Sequence, residues 1–333
     1  MKIDIFAHIL PPKYKEYLDK ESSATSKGFY TTQKVLPTLF DLEVRFKIMD
    51  RYPDMMQVLT LSMPPVENFR DTKKAIDMSI RANDEMAEIV LKHPDRFAAA
   101  IACLPMNDMD AALKEIDRAI KDLKFRGVQV FTPTNGKALD EPEFMPLYEK
   151  MCQYNLPIWL HPQRSLSCAD YEGEKASKYT IHGMLGWPYE TSVAMVRLVF
   201  SGILETYQGL KIITHHGGAM IPFFEKRITG WIETHDTLLG KRDAEKLRRP
   251  IRDYFKMFYA DTAIYGHTSG LMCCYDFFGA DHVVFGTDMP WDNQLGLKYT
   301  RETIESIEKM LISDKEKKMI FEDNTRCLLR LPV

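Results

Sequence analysis

The sequence predicts an α/β fold, a closed (β/α)8 TIM-type barrel with long loops after strands one and five, and three observations carry the prediction. Segments of strand character and of helical spacing alternate along the 333 residues. Some strand segments, such as Val283-Val284-Phe285, are apolar without alternation, the pattern of strands buried on both faces of a parallel sheet. His8, His161, His215 and Asp288 each fall at the end of such a segment, where a barrel carries its active residues. There is no internal repeat beyond the βα unit and no obvious linker, so residues 1–333 read as a single domain.

Residues 2–8 set Ile3 and Ile5 against Asp4, Phe6 and His8, a first strand that ends at His8 and is closed by Pro11 and Pro12. Residues 13–40 hold Phe29, Tyr30 and Phe40, too aromatic for a disordered stretch, and ordered insertions of this length line or cover sites. Asp41 caps a helix through Arg45 and Met49, and residues 55–61 form the next strand. Helical spacing over 68–92 precedes a strand at 97–104, then a helix at 111–123 and a strand at 127–131. A helix at 143–154 and a short strand at 157–161 follow, ending His161-Pro162. A second long connection, 164–186, leads to a helix over 193–204 and a strand at 210–214, which runs into His215-His216-Gly217-Gly218. Residues 223–234 are helical, 235–250 charged and exposed, 257–261 the seventh strand and 269–278 a helix. The eighth strand, 282–285, is ended by Gly286 and Pro290 and so delivers Asp288 at its carboxyl end; helical segments at 297–311 and 314–321 finish the chain.

Lys+Arg at 44 against Asp+Glu at 47 gives net −3, and no long basic run stands out, which argues against nucleic acid and anionic membrane surfaces as partners. Cys103, Cys152, Cys168, Cys273, Cys274 and Cys327 lack zinc-type spacing and read as reduced thiols of a cytoplasmic protein. The start, Met-Lys-Ile-Asp-Ile, has no signal-peptide or membrane-span character, because Asp4 and His8 interrupt it.

A carboxylate at the end of a buried strand needs a partner, and a helix cap or an ion pair would serve Asp288 without any site. A single strand-end histidine is likewise more often structural than a ligand. Three of them at strands one, five and six, with Asp288 at strand eight, favour a site, because closure sets strands one and eight side by side. Neutral imidazoles with a carboxylate suit Zn²⁺, Mn²⁺ or Fe²⁺, and a catalytic ion needs about three protein ligands and an open position.

Asp4-Ile5-Phe6-Ala7-His8-Ile9-Leu10-Pro11, Trp159-Leu160-His161-Pro162, His215-His216-Gly217-Gly218 and Phe285-Gly286-Thr287-Asp288 together resemble the amidohydrolase superfamily. Within it they resemble the branch of aminocarboxymuconate-semialdehyde, γ-resorcylate and 5-carboxyvanillate decarboxylases. The resemblance covers almost the whole chain, including Gly186-Trp187-Pro188 and Asn324-Thr325-Arg326. It implies a metal-dependent non-oxidative decarboxylase of a hydroxylated aromatic or related unsaturated carboxylic acid, in a homodimer or homotetramer. By the same resemblance His8, His161 and Asp288 hold Zn or Mn, and His215 acts beside the metal. Arg45 then holds a substrate carboxylate and Trp187 lines the site, with Trp291 the second aromatic of interest. Separately from the resemblance, Arg164 offers a guanidinium fork to a carboxylate, with an ion pair on its loop as the alternative.

One position departs. The family's first strand reads His-x-His, or Glu-x-His in some members, and this chain reads Phe6-Ala7-His8, which points a ring without a lone pair into the place of a ligand. Three ligands remain, with His215 or water completing the set. In the decarboxylase reading Asp288 delivers a proton to the carbon that loses CO₂, while His215 accepts or shuttles the hydroxyl proton. The alternatives are a metal-dependent hydrolase or hydratase, in which water attacks a carbonyl or activated double bond, and a non-catalytic homologue.

Overall fold

The computed structural model describes residues 1–21, 35–240 and 247–331. Its strands are β1 (Lys2–Ile9), β2 (Met55–Leu61), β3 (Phe97–Ala100), β4 (Ala102–Cys103), β5 (Val128–Thr132), β6 (Ile158–Pro162), β7 (Ile212–Thr214), β8 (Tyr259–Asp261) and β9 (Val283–Val284). Parallel pairing runs β1-β2-β3 and, in a second arc, β4 through β9. Two seams close the arcs into a barrel. Ile101 N donates to Leu59 O at 2.9 Å, so β3 and β4 are one strand interrupted at Ile101. On the far side Ile5 N donates to Phe285 O at 3.0 Å and His8 N to Met289 O at 2.8 Å, with a parallel bridge between Ala7 and Met289.

Side chains from around the ring meet inside it. Ile3, Ile5, Phe6, Val58, Ala99, Ile101, Trp159, Ile213 and Val284 form one buried cluster, with Leu328 and Leu329 packed onto it. Trp159 spans this interior, its indole N–H donating to Ile5 O at 3.1 Å. The outer layer is larger and lies between strands and helices, where residues such as Leu59, Leu61, Met86, Ile116 and Leu198 are buried. This two-layer burial explains why the strand segments read as apolar without alternation.

Most elements lie near their predicted places, and the deviations have local causes. Asp41 does cap the helix Leu42–Met49, accepting from Val44 N. The helix predicted from residue 68 starts at Thr72, because Asp71 caps it through Lys73 N and Lys74 N after a separate 3-10 turn, Val66–Asn68. The helix predicted from residue 193 starts at Trp187, where Pro188 occupies the first turn after a π-helical turn, His182–Gly186. Trp187 and Tyr189, read from the sequence as aromatic residues of a loop after a strand, are therefore helical. The helix Ile221–Leu239 runs into the stretch read as exposed from residue 235. Phe29 and Tyr30 lie outside the described residues.

Strict alternation in the first strand is also corrected. The register with β2 shifts between Asp4 and Ala7, so Phe6 joins Ile3 and Ile5 in the interior cluster. The Asp4 carboxylate accepts from Thr287 N at 3.0 Å and Thr287 Oγ1 at 2.5 Å, tying the first strand to the residue before Asp288. Among the described residues no helix is long and apolar enough to cross a membrane. Glu67, in the turn after β2, is buried with Oε1 lacking a hydrogen-bond partner among the described residues, and burial pushes its pKa up to about 8.

Candidate active site

Barrel closure brings the strand-end residues together. The ring nitrogens of His8, His161 and His215 lie within 4.8 Å of one another, and ligand atoms of His215, His216 and Asp288 form a second such group. His8 Nε2 stands 3.2 Å and His215 Nε2 3.4 Å from the same oxygen, Asp288 Oδ1. All four predicted residues are buried.

Each imidazole is oriented from behind through its other nitrogen. His8 Nδ1 pairs with Thr60 Oγ1 at 3.1 Å. His161 Nδ1 lies 2.7 Å from Pro162 O, and because a carbonyl only accepts, that nitrogen carries the proton and Nε2 keeps a lone pair. His215 Nδ1 pairs with Asp261 Oδ2, while Asp261 Oδ1 accepts from Gly217 N and Ala263 N at 2.9 and 3.0 Å. Metal-ligating histidines are held in this way, by an oxygen on the far nitrogen.

Burial lowers the pKa of His8 despite Asp288, and holds His161 well below the ordinary range together with the charges of His215 and His8. His216 is pushed down to about 3 by burial and by His215 beside it. Burial opposes the charge on His215 too, but Asp261 and Asp288 outweigh it and raise the pKa to about 9. Asp288 is held well below the carboxylate range, its burial outweighed by hydrogen bonds and charge from His215 and His8. The neutral imidazoles of His8 and His161 beside the ionised Asp288 fit a divalent cation, and His8 Nε2, buried and facing Asp288 Oδ1 at 3.2 Å, is placed as a metal ligand would be.

The remaining predicted residues take varied places. Phe6 does face the centre, its ring stacked on His215 at 4.0 Å and 12°. Trp187 meets His161 edge to face at 6.0 Å, with its indole N–H buried and without a partner among the described residues. Arg164 donates to Glu190 Oε1 at 2.5 Å, so the ion pair on its loop is formed. Arg45 is fully buried, and its Nη2 donates to the backbone carbonyl of His8 at 2.5 Å rather than reaching the His8 ring. Among the described residues its Nε and Nη1 have no hydrogen-bond partner, and burial lowers its pKa to about 10 against the charge of Asp4.

Several contributors escaped the sequence reading. Asp261 had a signal, since it ends the seventh strand as His8 ends the first. Thr60 had none, because one threonine in an apolar strand is unremarked. Tyr265, whose hydroxyl donates to Asp288 Oδ2 at 3.2 Å and whose ring stacks on Tyr299 at 4.1 Å, arrives from a loop. His216 was legible only as part of its motif.

Residues His216, Gly217, Gly218 and Ala219 are all left-handed, with φ of 58°, 66°, 73° and 55°. At Gly218 a Cβ would stand 2.6 Å from the Phe278 ring. Gly218→Ala is therefore expected to destabilise the fold by about 2 kcal/mol, from left-handed strain plus overpacking, read as a lowered urea midpoint. An unchanged midpoint would show that this turn relaxes freely.

A sequence model of the amidohydrolase family matches residues 3–331. Among curated proteins the chain is similar to γ-resorcylate decarboxylase of Polaromonas sp. strain JS666, 31% identical over 95% of this chain and 97% of that one. It is also similar to 2-amino-3-carboxymuconate-6-semialdehyde decarboxylase of Dictyostelium discoideum, 27% identical over 95% of this chain and 88% of the relative. Among solved structures it is similar to a dihydroxybenzoic acid decarboxylase from Polaromonas sp. JS666 with bound manganese and the inhibitor 2-nitroresorcinol. That likeness has a TM-score of 0.79 and 27% identity over 99% of this chain and 96% of the other.

Proposed function

The chain belongs to the amidohydrolase family, and from that premise we infer that it is a metal-dependent non-oxidative decarboxylase, a carbon–carbon lyase acting on a hydroxylated aromatic carboxylic acid. The observation that carries the reading is the convergence of three imidazoles on Asp288 in a chain whose relatives over nearly its full length are decarboxylases.

His8, His161 and Asp288 would hold Zn or Mn, which when bound supplies positive charge to orient the substrate carboxylate and hydroxyl and to stabilise the charge that develops on the ring. Asp288 is ionised as it stands, so it first takes the proton of the substrate hydroxyl and then delivers it to the carbon bearing the carboxylate. The C–C bond breaks as CO₂ departs, and its electron pair restores the ring. The phenolate left behind regains a proton that comes in the end from solvent, with His215 or its neighbour His216, both grouped with Asp288, as the group that hands it over. Phe6, Phe131 and Trp187 give the site aromatic walls beside the imidazoles.

The test is CO₂ release from 2,6-dihydroxybenzoate and related ortho-hydroxylated acids with Mn²⁺ supplied, run in ¹⁸O-labelled water. The expected organic product carries a new C–H bond and no ¹⁸O. An ¹⁸O-labelled organic product without CO₂ would replace this reading with hydrolysis or hydration. Because Arg164 is already paired with Glu190, Arg164→Gln is expected to raise KM less than about threefold, whereas loss of a substrate carboxylate contact would raise it at least about tenfold.

We further propose a cytoplasmic homodimer or homotetramer. Six free cysteines suit a reducing compartment. Exposed Phe223, Trp231 and Leu238 on the helix Ile221–Leu239 suit a subunit contact.

A further inference from the structure

We propose that His215 is itself a metal ligand in this chain, completing with His8, His161 and Asp288 the set that Phe6 leaves one short, and that proton transfer passes to His216. The inference rests on the metal-dependent reading above and concerns which residues do each task within it.

Four observations carry it. Phe6 sits on the strand position whose side chain faces the imidazoles, and its ring can donate nothing to a cation. The three imidazoles that approach one another within 4.8 Å are His8, His161 and His215. Ligand atoms around one ion with bonds of about 2.1 Å stand roughly 3.4 Å apart in a tetrahedral set. The separations of His8 Nε2 and His215 Nε2 from Asp288 Oδ1, 3.2 and 3.4 Å, already have that size.

The third observation is rigidity. His215 is held between the rings of Phe6 at 4.0 Å and His216 at 3.9 Å, and its Nδ1 is fixed by Asp261, which two backbone N–H groups anchor in turn. A ring so clamped presents Nε2 in one direction, as a ligand must, and the carboxylate on Nδ1 makes that nitrogen a better donor. The fourth is His216. Its Nδ1 is buried without a hydrogen-bond partner among the described residues, and one of its ring nitrogens lies within 4.8 Å of ligand atoms of Asp288 and His215. It is placed to exchange a proton at the site while His215 is committed to the cation.

The probe is Co²⁺, which reports coordination through its visible d–d absorption. Affinity and spectrum are measured for the wild type, His215→Asn, His216→Asn and the double variant Phe6→His/His215→Asn, with circular dichroism on each. Asparagine at 215 keeps an amide to pair with Asp261 while removing the ligand nitrogen. Ligand loss is expected to weaken Co²⁺ binding at least about 100-fold in His215→Asn and to alter the d–d bands, with most of the affinity regained in the double variant. His216→Asn is expected to keep Co²⁺ affinity within about threefold and lose turnover. Wild-type affinity and an unchanged spectrum in His215→Asn would overturn the inference and leave the decarboxylase reading standing. A wild type that takes up no Co²⁺, Mn²⁺ or Zn²⁺ would overturn both.

Discussion

Asp288→Asn is expected to lower kcat by roughly 10³-fold while leaving the fold intact. The substitution is nearly isosteric, and asparagine tolerates the left-handed backbone, φ 61°, that Asp288 adopts. The amide oxygen can still accept from Tyr265, whose hydroxyl lies 3.2 Å from Oδ2. What disappears is the negative charge facing His8 and His215, and with it the group proposed to take a proton from the substrate and hand it to carbon. Steady-state CO₂ release, with circular dichroism and metal content alongside, measures the effect. A variant that retained a tenth of wild-type turnover would remove Asp288 from the proton-transfer step.

The second large effect concerns stability. Burial places the Glu67 pKa at about 8 in the folded chain against an ordinary 4.5. The folded protein therefore keeps a proton that the unfolded chain sheds between those values. The contribution is fully favourable below the lower value and is lost as pH rises toward the upper one, by roughly 3–5 kcal/mol in all. Glu67→Gln keeps the neutral shape and cannot ionise. Urea unfolding of both proteins across about pH 5 to 8 should give a falling difference curve, with the variant gaining on the wild type as pH rises. Parallel pH dependences would mean that Glu67 finds a charged partner or water in solution.

Periodicity carried most of the architecture, because a barrel strand buried on both faces leaves an unmistakable apolar run. His8, His161, His215 and Asp288 were legible only as a set, because each alone has ordinary structural uses while four polar ends of strands in one ring point to a shared site. Side-chain direction was harder. Phe6 faces the histidines as its spacing from His8 implied, but the irregularity between Asp4 and Ala7 lets Ile3 and Ile5 share the interior with it, which alternation alone does not encode. Arg45 shows a similar limit: its position in the early helix was readable, but its bond to the His8 carbonyl depends on how that helix packs. Tyr265 matters through a contact with a residue 23 positions away and no local pattern announces it, whereas Asp261, 46 positions from its partner, showed only as one more polar strand end.

The seam between β1 and the segment carrying Asp288 also bears on when the site comes into being. Asp4 and Thr287 are 283 residues apart in sequence, and their bond sets the two strands that bring His8 to Asp288. Ordering so long a loop is among the slower events available to a chain, since its entropy is lost before the contact is gained. A ribosome-bound nascent chain has its first histidine long before its carboxylate. The proposed ligand set is complete only once the ring has shut, so cation binding is expected to follow the end of folding instead of guiding its start.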